Sequence, residues 1–161
     1  MSKKQTAFRM RKMAEKDVPT VLRIESLSFP IAPWKSSISF LKGNQGMSSV
    51  VEDGEGQVVG YLVLKSSRRT SAVEVTIIKM ATDPIHRGRG VGTFALTWAK
   101  QFAAREKAQR LFLRVRKSNA AARGLYEREG FAEVRAVPEH YARGATVEER
   151  TAIEMKCRTE V

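Results

Sequence analysis

One stretch near the middle of the chain limits what the rest can be. The segment "SAVEVTIIKMAT" reads as a long strand, "DPIHRGRGVG" follows it, and Val91, Phe94, Ala95, Trp98 and Phe102 then recur at helical spacing. A strand, a basic glycine loop and a helix with one apolar stripe specify a layered α/β domain, because the helix must bury its stripe on the sheet. Pro84 turns the chain. Glycines at a helix start expose backbone N–H groups, and such groups receive phosphate.

Three phosphate loops compete for "HRGRGVGT". A Walker A loop requires four residues between its glycines and then Gly-Lys-Ser/Thr, and no Lys-Thr follows here. Gly90, Gly92 and Ala95 do spell G-x-G-x-x-A after a strand. That dinucleotide pattern needs an acidic residue near the end of the next strand, but the strand ends "RVRKSN", and the remaining chain is too short for a doubly wound sheet. The third pattern is R-x-x-G-x-G, filled by Arg87, Gly90 and Gly92, with Arg89 adding charge toward a pyrophosphate.

The flanking segments supply the remaining elements. "AFRMRKM" predicts a short first strand. A helix begins with Asp17 as its N-cap and Pro19 in its first turn, carries Val18, Val21, Leu22, Glu25 and Phe29, and stops by Pro30. "SFPIAPWK" predicts a kinked loop, and "SSISFLKG" a short helix closed by Gly43. "SSVVED", "DGEG" and "QVVGYLVLK" predict a β-hairpin. Farther on, "RLFLRVR" is a strand, Asn119 caps the helix "AAARGLYERE", Gly130 ends it, and "FAEVRAV" and "TAIEMKC" close the sheet. The total is about seven strands and four helices in a mixed sheet.

Length and composition fit a single domain over residues 1–161: 42% hydrophobic and 29% charged residues describe a globular chain. The basic start is not followed by a signal-peptide apolar core, and no stretch is long enough to span a bilayer, so the expectation is cytoplasmic with no membrane partner. Cys157 is alone and reads as a buried structural thiol. His86 and His140 lack metal-ligand spacing, so no metal is expected. Lys and Arg outnumber Asp and Glu by 29 to 17, a net +12. That charge admits nucleic acid, a ribosome, a nucleotide cofactor or plain solvation, and does not separate them.

With these motifs assembled, the chain resembles the GCN5-related N-acetyltransferase (GNAT) family. The resemblance rests on "HRGRGVG" and on "NAAARGLYEREGF", in the right order across residues 72–132. "IESLSFPIAPWKSSISF" and "RAVPEHYARG" are similar to the two loops of its RimI-like subgroup, which acetylates protein N-termini, including that of a ribosomal protein. His140 replaces the first of that subgroup's two tyrosines.

The resemblance implies a mixed sheet of six to seven strands, splayed between two central parallel strands, with about four helices. It implies acetyl-coenzyme A as cosubstrate and the α-amine of a peptide or protein N-terminus as acceptor. By position, Met80, Ala81 and Thr82 pair with the pantetheine arm. Arg87, Gly88, Arg89, Gly90, Val91 and Gly92 hold the pyrophosphate, and Asn119 and Tyr126 stand on the cofactor side. On charge and position alone, Arg123 or Lys117 is expected at a phosphate of the adenosine end. Phe29, Pro30, Ile31, Trp34, His140 and Tyr141 line the acceptor slot. Tyr126 stands at the general-acid position. A monomer or a dimer is expected.

The general base departs from the pattern. Where the subgroup reads Leu-Glu-Val-Arg, this chain reads Leu113-Arg114-Val115-Arg116, and a guanidinium cannot take a proton. A second family position for a base holds Thr76. Glu74, two residues earlier on the same strand face, is the first substitute, followed by Glu25 and His140. A weak base suits an α-amine, with a pKa of about 7.7–8.0, better than a lysine amine at about 10.4. Two other functions remain open: acetylation of a small amine, and a basic coenzyme A-binding or ribosome-associated module with little catalysis.

Overall fold

The computed structural model describes residues 7–29, 47–69 and 71–159. The expected helix "SSISFLKG" and most of the loop "SFPIAPWK" lie outside these residues, as do the slot candidates Pro30, Ile31 and Trp34.

The polar turn after Glu52 sets the first hairpin. Asp53 accepts the N–H groups of Glu55 at 2.9 Å and Gln57 at 3.0 Å, and Gly56 takes a φ of +78°. Strand β2 (Ser48–Glu52) is thereby returned antiparallel to β3 (Val58–Arg69), and β1 (Arg9–Lys12) pairs antiparallel with β2 on its other side. Helix α1 (Val18–Ser28) lies between β1 and β2 in the chain, with Pro19 in its first turn as expected. Asp17 occupies the N-cap position but makes no side-chain cap. Its carboxylate instead accepts two bonds from Arg11 and one from the Ala14 N–H.

Strand β4 (Ala72–Thr82) leads into the glycine loop and helix α2 (Val91–Arg105). Then come β5 (Arg110–Arg116), helix α3 (Ala120–Arg128), β6 (Ala132–Val137), the single helical turn α4 (Val147–Arg150) and β7 (Ala152–Arg158). The sheet has the order β1-β2-β3-β4-β5-β7-β6. It is mixed: β4 and β5 pair parallel through Val75–Ile77 against Leu111–Leu113, while β7 pairs antiparallel with both β5 and β6. Turn α4 is absent from the sequence expectation. Its capping box, Thr146 with Glu149, is a sequence signal that marks a helix start.

Contacts divide the chain into two compact units, with β3, β4 and α2 passing through both. The first holds the described part of Met1–Val63 with Lys79–Ala95. Val51 and Val59 pack there with Val91 and Ala95, under Phe8, Met10, Met80 and Phe94. The second holds Leu64–Ile78 with Leu96–Val161, described to Thr159. Along β5, Leu111, Leu113 and Val115 are buried, while Arg110 and Arg114 face out, the two-residue alternation of a half-buried strand. Ile153, Met155 and Cys157 of β7 are buried likewise, each apolar side chain contributing about 1.5–3 kcal/mol. Burial raises the Cys157 thiol pKa, as suits a structural cysteine.

The stripe of α2 sits differently from its expected register. Leu96, Ala99 and Ala103 are fully buried with Val91 and Ala95, while Phe94, Trp98 and Phe102 are half-buried on the shoulder. Trp98 and Phe102 stack on each other at 5.7 Å. The small residues take the close-approach positions because alanine lets a helix lie near its neighbours.

Candidate functional site

The glycine loop of the first unit is built on Asp83. This residue is 1% exposed and caps a 3-10 turn, Pro84–His86, by accepting the Ile85 N–H. Its own N–H donates to the Val59 carbonyl at 2.8 Å. Burial raises the Asp83 pKa, but Arg23 at 2.7 Å and the Ile85 amide outweigh it, so the carboxyl lies below its ordinary range. Beyond the turn, Gly88 and Gly90 take φ of +76° and +88°. A Cβ built on either would meet nothing within 4 Å, so these glycines are required by backbone conformation and the space above them is open.

Arg87 and Arg89 are exposed beside that space, and α2 begins at Val91, leaving the Val91 and Gly92 N–H groups at a helix start. Open room, N–H groups and two guanidinium charges fit a pyrophosphate. Arg89 also contacts His86 Nδ1 at 3.3 Å, and the buried His86 Nε2 has no protein partner.

Met80, Ala81 and Thr82 are half-buried at the end of β4. Gly60 of β3 was not expected to contribute, yet it sets how close they come. A Cβ there would stand 2.9 Å from the Ala81 carbonyl oxygen and 3.0 Å from Val91 Cγ1. The signal was present in "VVGYLVL": a lone glycine in an apolar strand marks close backbone approach.

Glu25 also lies in the first unit, 2% exposed. It accepts from Lys79 Nζ at 2.6 Å and from the Tyr61 hydroxyl. Lys79 Nζ in turn sits 3.9 Å from the centre of the Phe29 ring. Phe29, an expected wall of the acceptor slot, is thus held at the end of α1 by its N–H bond to Glu25 and by this cation. With two donors on its carboxylate, Glu25 is committed to a buried network.

The second unit carries the expected acid. Asn119 caps α3 by accepting the Ala122 N–H at 3.2 Å. At the other end, Gly130 (φ +90°) donates to the Glu127 carbonyl and Phe131 donates to the Tyr126 carbonyl, the paired bonds of a Schellman stop. The accompanying apolar contact is Tyr126 against Phe131, with ring centres 5.8 Å apart. Tyr126 is therefore fixed by the stop of its own helix. Burial, and secondarily Tyr141, push its pKa up to about 12, so its hydroxyl keeps its proton.

Arg114 pairs with Glu154, directly opposite on β7, at 3.1 Å, and Glu154 also receives Arg135 at 3.5 Å. The arginine that replaces the expected glutamate is thus answered by a carboxylate across the strand. His140 and Tyr141 meet edge to face at 4.8 Å, and the Arg116 guanidinium lies 4.0 Å from the Tyr141 ring centre. Burial lowers the His140 pKa below its ordinary value, and the charges of Arg114 and Arg116 lower it further, so the imidazole is neutral at neutral pH.

The remaining expected residues, Glu74 and Arg123, have these places. Glu74 stands beside the beginning of β5, lining a cavity of ≈ 650 Å³ with Arg68, Glu106, Lys107 and Arg110. Arg114 is four residues farther along β5, roughly 13 Å at about 3.3 Å per residue, and α3 follows the far end of that strand. Glu74 therefore stands at the opposite end of the strand pair from Arg114, the position where the resemblance puts the base. Arg123, expected toward the cofactor, donates to Glu133 at 2.7 Å and to the Lys117 carbonyl at 3.0 Å. It braces α3 against β6.

The chain is similar to known acetyltransferases. The family model described as "Acetyltransferase (GNAT) family" matches residues 15–131. An N-alpha-acetyltransferase of Sulfurisphaera tokodaii is 30% identical over 154 residues, covering 89% of this chain and 91% of its own. A [ribosomal protein bS18]-alanine N-acetyltransferase of Haemophilus influenzae is 33% identical over 132 residues, covering 79% of this chain and 83% of its own. The crystal structure of the ribosomal-protein-S18-alanine N-acetyltransferase from Escherichia coli matches at a TM-score of 0.74 and 25% identity, covering 96% of each chain.

Proposed function

Because the chain belongs to the acetyltransferase (GNAT) family, we propose that it transfers the acetyl group of acetyl-coenzyme A to the α-amino group of a protein N-terminus. The observation that carries the acceptor class is similarity to an N-alpha-acetyltransferase over about nine-tenths of both chains. The base chemistry supports it. Arg114 occupies the position where the family resemblance puts a glutamate, and its charge is engaged by Glu154. About a tenth or more of an α-amine of pKa 7.7–8.0 is neutral at pH 7, against under roughly a thousandth of a lysine amine. A site without a strong base therefore works on N-termini.

Acetyl-coenzyme A supplies the activated acetyl group as a thioester. The Val91 and Gly92 N–H groups with Arg87 and Arg89 bind its pyrophosphate, and the backbone of Met80–Thr82 pairs with the pantetheine arm. Tyr126, protonated throughout the working range, donates a hydrogen bond toward the departing thiolate. A thiol of pKa about 8.5 leaves without full proton transfer. His140, neutral and beside Tyr141, is the group that accepts the proton of the incoming amine. Tyr141 stands on the acceptor side.

Release of coenzyme A thiol tests this directly, measured with peptides bearing a free α-amine, with the same peptides blocked at the N-terminus but carrying a lysine, and with small amines. Turnover confined to free N-termini is expected. Turnover of small amines alone would overturn the acceptor. Coenzyme binding in a thermal-shift assay with no turnover of any amine would point instead to a binding module. Because two of the similar proteins are named for an alanine of ribosomal protein S18, the panel includes peptides that begin with Ala.

A further inference from the structure

We propose that Arg116 is the positioning residue that holds the loop between β6 and β7, residues 138–151, in the shape that receives the acceptor peptide. This rests on the Nα-acetyltransferase reading above. Arg116 is the last residue of β5, and a single side chain there reaches three parts of the loop. Its Nη1 donates to the Arg143 carbonyl at 2.9 Å and to the Glu149 carbonyl, and its guanidinium carbon lies over the Tyr141 ring, 4.0 Å from the ring centre. The beginning, middle and end of the loop are thus tied to the rim of one strand.

The loop is otherwise fastened mainly to itself. The Tyr141 N–H donates to the Arg150 carbonyl at 3.0 Å, Arg150 Nη1 donates to the Gly144 carbonyl at 2.9 Å, and Arg150 pairs with Glu139 at 3.0 Å. These bonds close the loop into one body without fixing where that body sits. Its other anchor is the Lys117 N–H, which donates to the Thr151 carbonyl at 2.9 Å. Arg116 is the described side chain that reaches the loop from outside with both carbonyl bonds and ring stacking.

The chemistry requires arginine. A guanidinium presents several donors in its plane and a flat face to an aromatic ring at the same time, whereas an ammonium is a point charge with neither geometry. Its charge also remains available. Arg114 is answered by Glu154, but among the described residues Arg116 meets only neutral carbonyls and the Tyr141 ring. Burial first, then the charge of Arg114, lower the His140 pKa, and the charge of Arg116 adds to both.

The test compares the full chain with Arg116→Gln and Arg116→Lys by amide hydrogen exchange, thermal midpoint and peptide kinetics. In both variants, exchange across residues 138–151 is expected to rise about tenfold while the core strands hold their protection. The KM for an N-terminal peptide is expected to rise about tenfold, with the KM for acetyl-coenzyme A changed less than about twofold. Unchanged loop exchange in both variants would overturn the proposal, as would a faster-exchanging loop with unchanged peptide KM. If Arg116→Gln loses its fold, Arg116→Lys, which keeps the charge, decides by the same two readouts. Failure of the Nα reading shows separately, as no turnover of any N-terminal peptide by the unaltered protein.

Discussion

In the first unit, Glu25, Asp17 and Asp83 are 2%, 4% and 1% exposed, and each carboxylate is gripped by a cation. In the second unit the more buried member of the pairs Arg114–Glu154, Arg123–Glu133 and Arg150–Glu139 still has its side chain 17–27% exposed. The same residue types therefore do different work. Breaking a buried pair strands a charge in a poor solvent and costs about 3–5 kcal/mol, whereas an exposed pair contributes at most about 1 kcal/mol. The side that carries the glycine loop is held rigid by electrostatics. The side that carries Tyr126, His140 and Tyr141 is held by packing, caps and carbonyl bonds, and its charges can change with little loss of fold.

The strongest way to break this contrast is Glu25→Ala. It removes the acceptor of Lys79 and Tyr61 together, and the expected loss is about 3 kcal/mol. Calorimetry should show a midpoint lower by roughly 6–12 °C, at about 2–4 °C per kcal/mol for a chain of this size. Glu25→Gln, which can still accept both bonds, should lose less. If Glu25→Ala costs no more than an exposed pair, the first unit is not held by its buried charges.

Tyr126→Phe probes the other side, where the expectation is a large change in rate and a small one in stability. The ring and its packing on Phe131 remain, so the midpoint should hold while kcat falls on the order of a hundredfold, the low end for a positioned proton donor. With its pKa pushed up to about 12, Tyr126 should impose no alkaline limb on kcat between pH 7 and 10. An unchanged kcat in the variant would remove Tyr126 from the chemistry.

What the sequence disclosed follows the range of the interactions involved. The glycine loop, the Asn119 cap and the Gly130 stop are local, and each residue type states its own conformational need, so these were readable at single-residue level. The hairpin was marked by its polar turn, "DGEG". The pairings Arg114–Glu154 and Glu25–Lys79 are 40 and 54 residues apart in sequence, and no spacing rule connects them. The place of Glu74 was hidden for a related reason. Strand alternation put it on the face of Thr76 but carried no information about how far along the parallel pair it lies from Arg114.

Acid should separate the two units by pH. Bonds from Arg11 hold the Asp17 carboxyl below its ordinary range against the opposing effect of burial, and Asp83 is lowered on balance by Arg23 and backbone N–H groups. Their folded pKa values lie below the unfolded ones, so the unfolded chain binds more protons and stability rises with pH. That stability is complete above the unfolded values and is lost as pH falls below about 4. His140 is also depressed, so its smaller effect appears as pH falls through about 6.5. Hydrogen exchange at pH 3 should open β1 and the turn at Asp83 before β5 and β7. Simultaneous opening would show that the buried carboxylates are not what sets acid sensitivity.

The expected stability effect at Arg114 is small, and it is the most informative about chemistry. Arg114→Glu sets two carboxylates directly opposite on β5 and β7, which is unfavourable, though the exposure of Arg114 limits the cost to under about 1 kcal/mol. Arg135, 3.5 Å from Glu154, softens it further. Arg114→Glu combined with Glu154→Arg restores the pair with its charges exchanged and should return the midpoint to within about 0.5 kcal/mol of the starting protein. That double variant puts a carboxylate where the family resemblance places the base while leaving the local charge sum unchanged. If proton removal limits turnover, its kcat for an N-terminal peptide should rise, and lysine-bearing acceptors, with their higher pKa, should gain more than α-amines. A fall in kcat at preserved stability would instead give Arg114 a direct part in holding the acceptor, and the exposed charges of the second unit would then be a specificity device.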